Sequence, residues 1–213
     1  MEAYQNKISV IMPSYLGYYP NCADDRERKF ERAVNSFLQQ SHKRAELIII
    51  SDGCDKTDLL FQTYFKDEPS IIHHRIEKQP IFSGNVRQAG LEMATGDLVC
   101  YLDTDDMFGR NHLSNINSCF PQGHNFEWAF YNDFLYASAS NHIPKIVSLE
   151  KGSIGTSSIV HLTSLRDKGL SWTGCDKYNH DWLFVERLMK FSKHKKIFGC
   201  AYFICHIPDQ INS

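Results

Sequence analysis

The chain has 213 residues, of which 42% are apolar and 13% aromatic, a size and composition that predict one globular domain and exclude a second large lobe. With 23 basic and 25 acidic side chains its formal net charge is −2, which argues against binding to a nucleic-acid backbone. The longest apolar runs, such as residues 47–50, fall far short of the roughly 20 residues needed to cross a bilayer, so no membrane span is expected.

The cysteines and the N-terminal residues indicate a reducing environment. The seven cysteines include no C-x-x-C pair, which argues against a zinc knuckle or a disulfide scaffold. The first residues, MEAYQNK, lack the charged and apolar blocks of a signal peptide, and the chain contains no N-x-[ST] sequon. A cytoplasmic location is the resulting expectation.

The first part of the chain alternates strand and helix patterns. Residues 7–12 are rich in β-branched side chains and predict a strand, and apolar side chains between Phe30 and Leu38 recur with the spacing of one buried helix face. The continuous apolar run at 46–51 is typical of a strand buried on both faces of a parallel sheet. Together these segments predict a β-α-β unit.

The same alternation continues to residue 102 and becomes mixed beyond Pro121. The predicted elements are helices at 59–65, 85–94 and 181–190, and strands at 71–76, 97–102, 126–136, 156–162 and 197–205. The lysine-rich stretch 190–196 is interpreted as a solvated helix end, with anion binding as the alternative. The expected fold is α/β, a Rossmann-like and mostly parallel sheet flanked by helices.

Polar clusters follow three of the predicted strands. They are Pro13-Ser14-Tyr15, Ser51-Asp52-Gly53 and Asp103-Thr104-Asp105-Asp106. Because ligands of open α/β sheets bind beyond the carboxyl ends of the strands, we expect the three clusters to converge on one site.

The aspartate cluster concentrates like charge directly after a buried strand, which is costly unless a cation is bound. Mg²⁺ or Mn²⁺ held by one or two carboxylates keeps open positions for phosphate oxygens, so the pattern indicates a metal that bridges a diphosphate. A surface turn whose aspartates cap the next helix is the alternative, and a phosphatase or nuclease metal pair is another.

The residues after the first strand narrow these alternatives. The chain has neither a G-x-x-x-x-G-K-[ST] loop nor a G-x-G-x-x-G fingerprint, so P-loop and dinucleotide-binding proteins lose support. A phosphatase would be expected to carry an aspartate where this chain has Pro13-Ser14-Tyr15, and Tyr15 is instead suited to stack on a nucleobase.

Five segments follow one another in the order found in family 2 glycosyltransferases. They are KISVIMPSY at 7–15, AVNSFLQQ at 33–40, ELIIISDG at 46–53, VRQAGLEMATG at 86–96 and DTDD at 103–106. The chain therefore resembles a nucleotide-sugar-dependent glycosyltransferase of the GT-A fold. The resemblance covers residues 7–110 and resumes at 155–158 and 180–182.

On the donor side, the resemblance implies that Pro13, Ser14 and Tyr15 line the nucleotide pocket, with Tyr15 near the base. Asp52 would accept a hydrogen bond from the uracil imide, which favours uracil or thymine over cytosine. Arg87 would reach the nucleotide or order the aspartate loop, with a surface ion pair as the alternative.

The resemblance also implies a Mn²⁺ or Mg²⁺ site in the D-x-D motif. Asp103, Thr104 and Asp105 would contact the nucleotide sugar, and Asp103 and Asp105 would hold the metal. His206, in the closing segment, would complete the metal shell or touch the diphosphate, unless it is a structural histidine.

On the acceptor side, the family's E-D motif corresponds to His180-Asp181, which keeps only the second acid. Asp181 is therefore the candidate general base of an inverting transfer. Trp172, Asp176 and His180 are candidates for contacts with the acceptor. Two further departures from the family pattern are Ser51, in place of an acid, and Gln88, in place of asparagine.

Residues 1–213 are expected to form one GT-A domain, with a donor half at 1–106 and an acceptor half at 107–213, and the domain is compatible with excision from a longer chain. The predicted function is metal-dependent, inverting transfer of a sugar from a UDP-sugar to a saccharide or glycoconjugate. The alternatives are a retaining glycosyltransferase, a nucleotidyltransferase and a non-catalytic nucleotide- or sugar-binding module.

Overall fold

A computed structural model describes residues 5–19, 22, 25–80, 82–138, 141–191 and 193–205. Within these ranges the strands are β1 (Ile8–Ser14), β2 (Ala45–Asp52), β3 (Ile71–Ile76), β4 (Leu98–Tyr101), β5 (Met107–Phe108), β6 (Trp128–Phe130), β7 (Asp133–Ser138), β8 (Asn141–Lys145), β9 (Ile159–Leu162), β10 (His194–Lys196) and β11 (Tyr202–Ile204). The α-helices are α1 (Arg26–Leu38), α2 (Asp55–Tyr64), α3 (Gly84–Met93), α4 (His112–Cys119), α5 (Ser164–Asp167) and α6 (His180–Phe191).

Seven strands form the main sheet, in the order β10-β6-β9-β4-β1-β2-β3. The pairs β1–β2, β1–β4, β2–β3 and β6–β10 are parallel, and β9 is antiparallel to both of its neighbours. The three parallel pairs among β1 to β4 follow from the β-α-β crossovers of the first hundred residues. The predicted α/β class, with a mostly parallel sheet, is confirmed.

The central strand β1 is buried on both faces, and successive side chains enter different cores. Val10 belongs to a cluster that contains Phe30 and Val34 of α1, whereas Ile11 belongs to a second cluster that contains Val86 of α3. This alternation is the period of two of an extended strand. Because both faces of β1 are buried, apolar side chains predominate at successive positions of its sequence.

Helix α3 approaches β1 unusually closely at Gly90. A methyl group at this position would lie 2.5 Å from Cγ2 of Ile11, so only glycine permits this packing distance. The close contact fixes the helix that carries Arg87 against the centre of the sheet.

A second sheet, in the order β5-β11-β7-β8, packs beside the main one. The segment predicted as one strand at 126–136 is divided between β6 of the main sheet and β7 of this sheet, so that prediction was wrong in its continuity. The stretch 190–196 includes an edge strand, β10, whose lysines suit an exposed sheet edge. No helix in the described part of the chain is both long and apolar enough to span a membrane.

Candidate active site

A cleft of about 700 Å³ opens at the carboxyl ends of β1, β2 and β4. The residues of the three polar clusters that line it are Pro13, Ser14, Tyr15, Asp52, Asp103, Thr104 and Asp105. Arg87 lines the same cleft from α3, and His180 and Asp181 line it from the start of α6. The structure thus brings together residues that are up to 168 positions apart in the chain, as Pro13 and Asp181 illustrate.

Asp52 ends β2 and organises one end of the cleft. Its Oδ1 accepts a hydrogen bond from the backbone N–H of Gln79 at 2.6 Å, and its Oδ2 accepts one from Nζ of Lys78 at 2.7 Å. The Lys78 ammonium group also lies 4.5 Å from the ring centroid of Tyr15. Sequence analysis missed Lys78, although it follows β3 by two residues and the strand-end rule could have identified it.

The loop after β1 is held from two sides. The buried hydroxyl of Ser14 is hydrogen-bonded to Thr57 Oγ1 of α2 at 2.8 Å, so this side chain anchors the loop. Arg26 of α1 donates hydrogen bonds to the carbonyl oxygens of Tyr15 and Gly17. These contacts leave the Tyr15 ring half-buried at the cleft wall.

Arg87 is 3% exposed and connects the aspartate loop to the start of α6. Its Nη2 donates to Asp103 Oδ1 at 2.7 Å and to Thr156 Oγ1 at 3.2 Å, and its Nη1 lies 3.8 Å from Asp181 Oδ1. Burial alone would lower the pKa of Arg87, but the charges of Asp103 and Asp181 outweigh burial and raise it. The alternative of a surface arginine is therefore wrong.

Tyr202 of β11 holds the aspartate loop, residues 103–106, through two hydrogen bonds. The tyrosine hydroxyl accepts a hydrogen bond from the Asp103 N–H at 3.1 Å and donates one to Asp106 Oδ2 at 2.8 Å. Asp106 also accepts from the Cys205 N–H at 2.7 Å. Burial, with the nearby charges of Asp105 and Asp103, raises the pKa of Asp106 well above its usual range. Asp106 thus supports the loop from within the core.

The donor set fits a metal ion that binds together with a nucleotide. Asp103 and Asp105 both line the cleft, and Mg²⁺ in proteins commonly takes one or two carboxylates and completes its shell with phosphate oxygens and water. The described residues contain no group of three His, Cys, Asp or Glu side chains suited to hold a metal by themselves. His206 lies outside the described residues.

His180 and Asp181 begin α6, where a carboxylate is favoured by the helix dipole. His180 Nε2 lies 3.0 Å from Asp181 Oδ1 and 3.1 Å from Arg87 Nη1. Burial alone would raise the pKa of Asp181, but the contact with His180, the charge of Arg87 and the Thr156 N–H together lower it. Asp181 is therefore a carboxylate at neutral pH.

Two of the predicted acceptor contacts lie elsewhere. Trp172 is 0% exposed, its ring stacks on Phe184 with centroids 3.8 Å apart, and its Nε1–H donates to Tyr101 Oη at 3.0 Å. The prediction that Trp172 stacks on a sugar was wrong, because the indole is enclosed in the core. Asp176 is exposed and is not part of the cleft wall.

Comparison with known protein families identifies the family of this chain. Residues 9–128 match the model of glycosyl transferase family 2. The chain belongs to this family. The family match includes the strand-end clusters and Arg87, whereas Asp181 lies beyond it.

Among curated family members, the chain is 30% identical over 153 residues to an uncharacterized glycosyltransferase, alr2836, of Nostoc sp., covering 66% of this chain and 42% of that protein. It is 30% identical over 114 residues to the GalNAc(5)-diNAcBac-PP-undecaprenol beta-1,3-glucosyltransferase of Campylobacter jejuni, covering 52% of this chain and 33% of that protein. The chain thus spans less than half the length of each of these relatives.

Solved structures share the fold at low sequence identity. S. aureus TarS 1-349 in complex with UDP-GlcNAc has a TM-score of 0.71 at 16% identity, covering 93% of this chain and 58% of that one. The mannosyltransferase PcManGT of Pyrobaculum calidifontis, in complex with GDP-Man and Mn²⁺, has a TM-score of 0.67 at 12% identity, covering 97% and 59%. These matches establish the GT-A fold of the family 2 chain.

Proposed function

We propose that this chain is the catalytic unit of a metal-dependent glycosyltransferase that moves a sugar from a UDP-sugar to a hydroxyl of a saccharide or glycoconjugate, with inversion. The observation that carries the proposal is that one cleft contains Asp52, the Asp103–Asp105 pair and Asp181, with Arg87 between the last two. The similarly folded TarS binds UDP-GlcNAc, which supports UDP as the nucleotide.

At the nucleotide end, Asp52 selects the base and Tyr15 stacks on it. Each oxygen of a carboxylate accepts two hydrogen bonds, so the contacts of Asp52 with Lys78 and Gln79 leave room for the N–H of a uracil imide. Cytosine offers no N–H donor at that ring position, and the site therefore favours UDP over CDP.

Asp105, together with Oδ2 of Asp103, would hold Mn²⁺ or Mg²⁺. A bound ion supplies Lewis-acid neutralisation of the charge that develops on the departing diphosphate. The chain's own contribution is to fix the two carboxylates, through Arg87 on one side and Tyr202 on the other. These hydrogen bonds orient the carboxylates for a bound ion, as contacts around metal ligands commonly do.

Asp181 acts as the general base. It takes the proton of the acceptor hydroxyl while the hydroxyl oxygen bonds to the anomeric carbon, and the bond from that carbon to the diphosphate breaks with its electron pair leaving on UDP. The lowered pKa keeps Asp181 deprotonated before each turnover. Its position in the same cleft as Asp103 supports catalysis over a non-catalytic binding module.

We propose in addition that the two halves of the chain, 1–106 and 107–213, form one domain. The main sheet supports this, because β9, from the second half, pairs directly with β4 of the first half. The donor contacts then come mainly from the first half, and the base comes from the second.

The proposal is tested by turnover of UDP-glucose, UDP-galactose and UDP-GlcNAc with Mn²⁺ and an oligosaccharide panel, with products followed by mass spectrometry and their anomeric configuration read by NMR. Asp181→Asn should lower kcat by about 10²–10⁴-fold while UDP affinity stays within about twofold. Glu186→Gln, an exposed acid on the same helix, is the matched control and should retain the wild-type rate. If Asp181→Asn kept half of the wild-type rate, this result would contradict the role of Asp181 as the general base. An axial linkage in the product would indicate that the anomeric configuration of the donor sugar is retained.

A further inference from the structure

An aromatic side chain that the sequence analysis did not single out lines the cleft beside the proposed base. Phe82 is 38% exposed, and its ring centroid lies 5.6 Å from that of His180, the neighbour of Asp181. Tyr18 and Tyr19 also line the cleft and are 84% and 44% exposed, and the Arg26 guanidinium lies 4.5 Å from the ring centroid of Tyr19. With its ring near His180, Phe82 presents apolar surface between the residues proposed to bind the nucleotide and Asp181, the proposed base.

The backbone at Phe82 adopts a conformation that bulky residues avoid. Its φ is +85°, and among the described residues the other non-glycine with positive φ is Asn179, at +68°. Asparagine tolerates this region, whereas phenylalanine is strained there. Both residues adjoin His180, one through its ring and one through the chain.

The segment after Phe82 is anchored to the network of charges. The Ser83 hydroxyl accepts a hydrogen bond from Nη1 of Arg87, and the Ser83 carbonyl accepts one from the Arg87 N–H at 2.8 Å. The backbone next to Phe82 is thereby tied to Arg87, which contacts Asp103 and Asp181. Strained residues that persist in such surroundings cluster at functional sites.

We infer that Phe82 is the platform on which a hexopyranose ring packs during transfer, the role that buried Trp172 cannot fill. The inference rests on the proposed function. The C–H face of a pyranose is apolar and matches an exposed aromatic ring, while the polar groups around it address the hydroxyls. The ring belongs either to the donor sugar or to the acceptor, because Phe82 lies beside the place where the two meet.

The test compares wild type with Phe82→Ala, Phe82→Gly and Phe82→Tyr, and uses Tyr64→Ala, an aromatic 59% exposed on α2, as a matched control. Calorimetry with Mn²⁺ measures the Kd of UDP and of UDP-GlcNAc. A second arm measures binding of methyl β-glucoside to the UDP-saturated protein.

The alanine and glycine variants should keep the Kd of UDP within about twofold and weaken a sugar ligand about five- to tenfold. Phe82→Tyr and Tyr64→Ala should bind as wild type does. Weakening of UDP-GlcNAc assigns the platform to the donor, and weakening of the glucoside assigns it to the acceptor. Wild-type affinity for both sugars in Phe82→Ala would overturn the inference, as would an equal loss of UDP affinity.

The melting temperature tests the strain at Phe82 separately from sugar binding. Both small variants lack the ring, but only glycine adopts the positive φ freely, so Phe82→Gly should melt about 2–4 °C above Phe82→Ala. A melting temperature of Phe82→Gly at or below that of Phe82→Ala would overturn the argument from strain. Failure of the wild-type protein to bind UDP in the presence of Mn²⁺ would instead refute the proposed function.

Discussion

The buried guanidinium of Arg87 donates a hydrogen bond from Nη2 to Oδ1 of Asp103 across 2.7 Å. The two residues are 16 positions apart and come from different elements, α3 and the loop after β4. Because the guanidinium is planar and offers several donors at fixed angles, this contact sets the orientation of the aspartate loop as well as its charge.

Arg87→Lys should therefore impair the site even though it conserves the charge. A lysine has a single nitrogen and cannot contact Asp103 and Ser83 together, as Nη2 and Nη1 of Arg87 do, so we expect kcat/KM for the UDP-sugar to fall at least about tenfold, and the free energy of unfolding to fall by about 1–3 kcal/mol. Steady-state kinetics and urea unfolding measure the two effects.

Arg166→Lys is the control for this prediction, since Arg166 donates to the carbonyl oxygens of Leu91, Glu92 and Ala94 outside the cleft. It should lose stability and keep kcat/KM. Equal kcat/KM in Arg87→Lys and wild type would refute the assignment of Arg87 to the site.

Tyr202→Phe tests the support of the aspartate loop. Removing one hydroxyl leaves the Asp103 N–H and the buried Asp106 carboxyl without their shared partner, so the loop loses two hydrogen bonds. We expect Mn²⁺-dependent binding of UDP to weaken about tenfold, as measured by calorimetry. Tyr131→Phe removes a comparably buried hydroxyl, which contacts His112 rather than an aspartate of the loop, and should leave that affinity unchanged. Equal losses in the two variants would mean that the effect is one of general stability.

The fold class and the strand-end clusters could be predicted because they depend on local patterns. The apolar run of β2 and the helical spacing in α1 each carry their own signal, and parallel strands bring their carboxyl ends to one edge. The burial of Trp172 had no such signal, because it depends on stacking against Phe184 of α6 and on a hydrogen bond to Tyr101, 71 positions away.

The contacts around the aspartates could not be predicted from the sequence either. Tyr202 meets Asp103 across 99 positions, and the N–H of Cys205 meets Asp106 across the same separation. Each partner reads in the sequence as part of a short apolar strand. Only the pairing of β11 with β5 brings these residues beneath the loop.

Acid should destabilise the protein through two buried histidines. Burial lowers the pKa of His112 to about 3 and that of His161 to about 4, from an ordinary value of 6.5. Between the pKa of each folded histidine and its ordinary value of 6.5, the unfolded chain binds more protons than the folded one. The stabilisation that the two neutral, buried histidines provide is therefore complete above pH 6.5 and is lost as the pH falls below 6.5. The loss approaches about 1.4 kcal/mol per pH unit for each histidine.

Urea unfolding at pH 7, 6, 5 and 4.5 measures this loss. In His112→Asn the amide oxygen can still accept from the Ala201 N–H, which contacts His112 Nδ1 at 3.1 Å, but the group no longer titrates. The free energy of unfolding of this variant should decline less steeply with falling pH than that of wild type. Identical slopes would contradict the assignment.

The most direct test of the central claim, a metal-dependent UDP site at the carboxyl ends of the strands, is thermal stabilisation by UDP, GDP, ADP and CMP, each with and without Mn²⁺. A ligand that binds only the native state raises its apparent stability with the logarithm of saturation. We predict a Mn²⁺-dependent rise in Tm that is selective for UDP, is abolished by Asp105→Ala and persists in Asp55→Ala, whose side chain is 94% exposed on α2. No rise with any nucleotide, or an equal rise with ADP in the absence of metal, would contradict the claim.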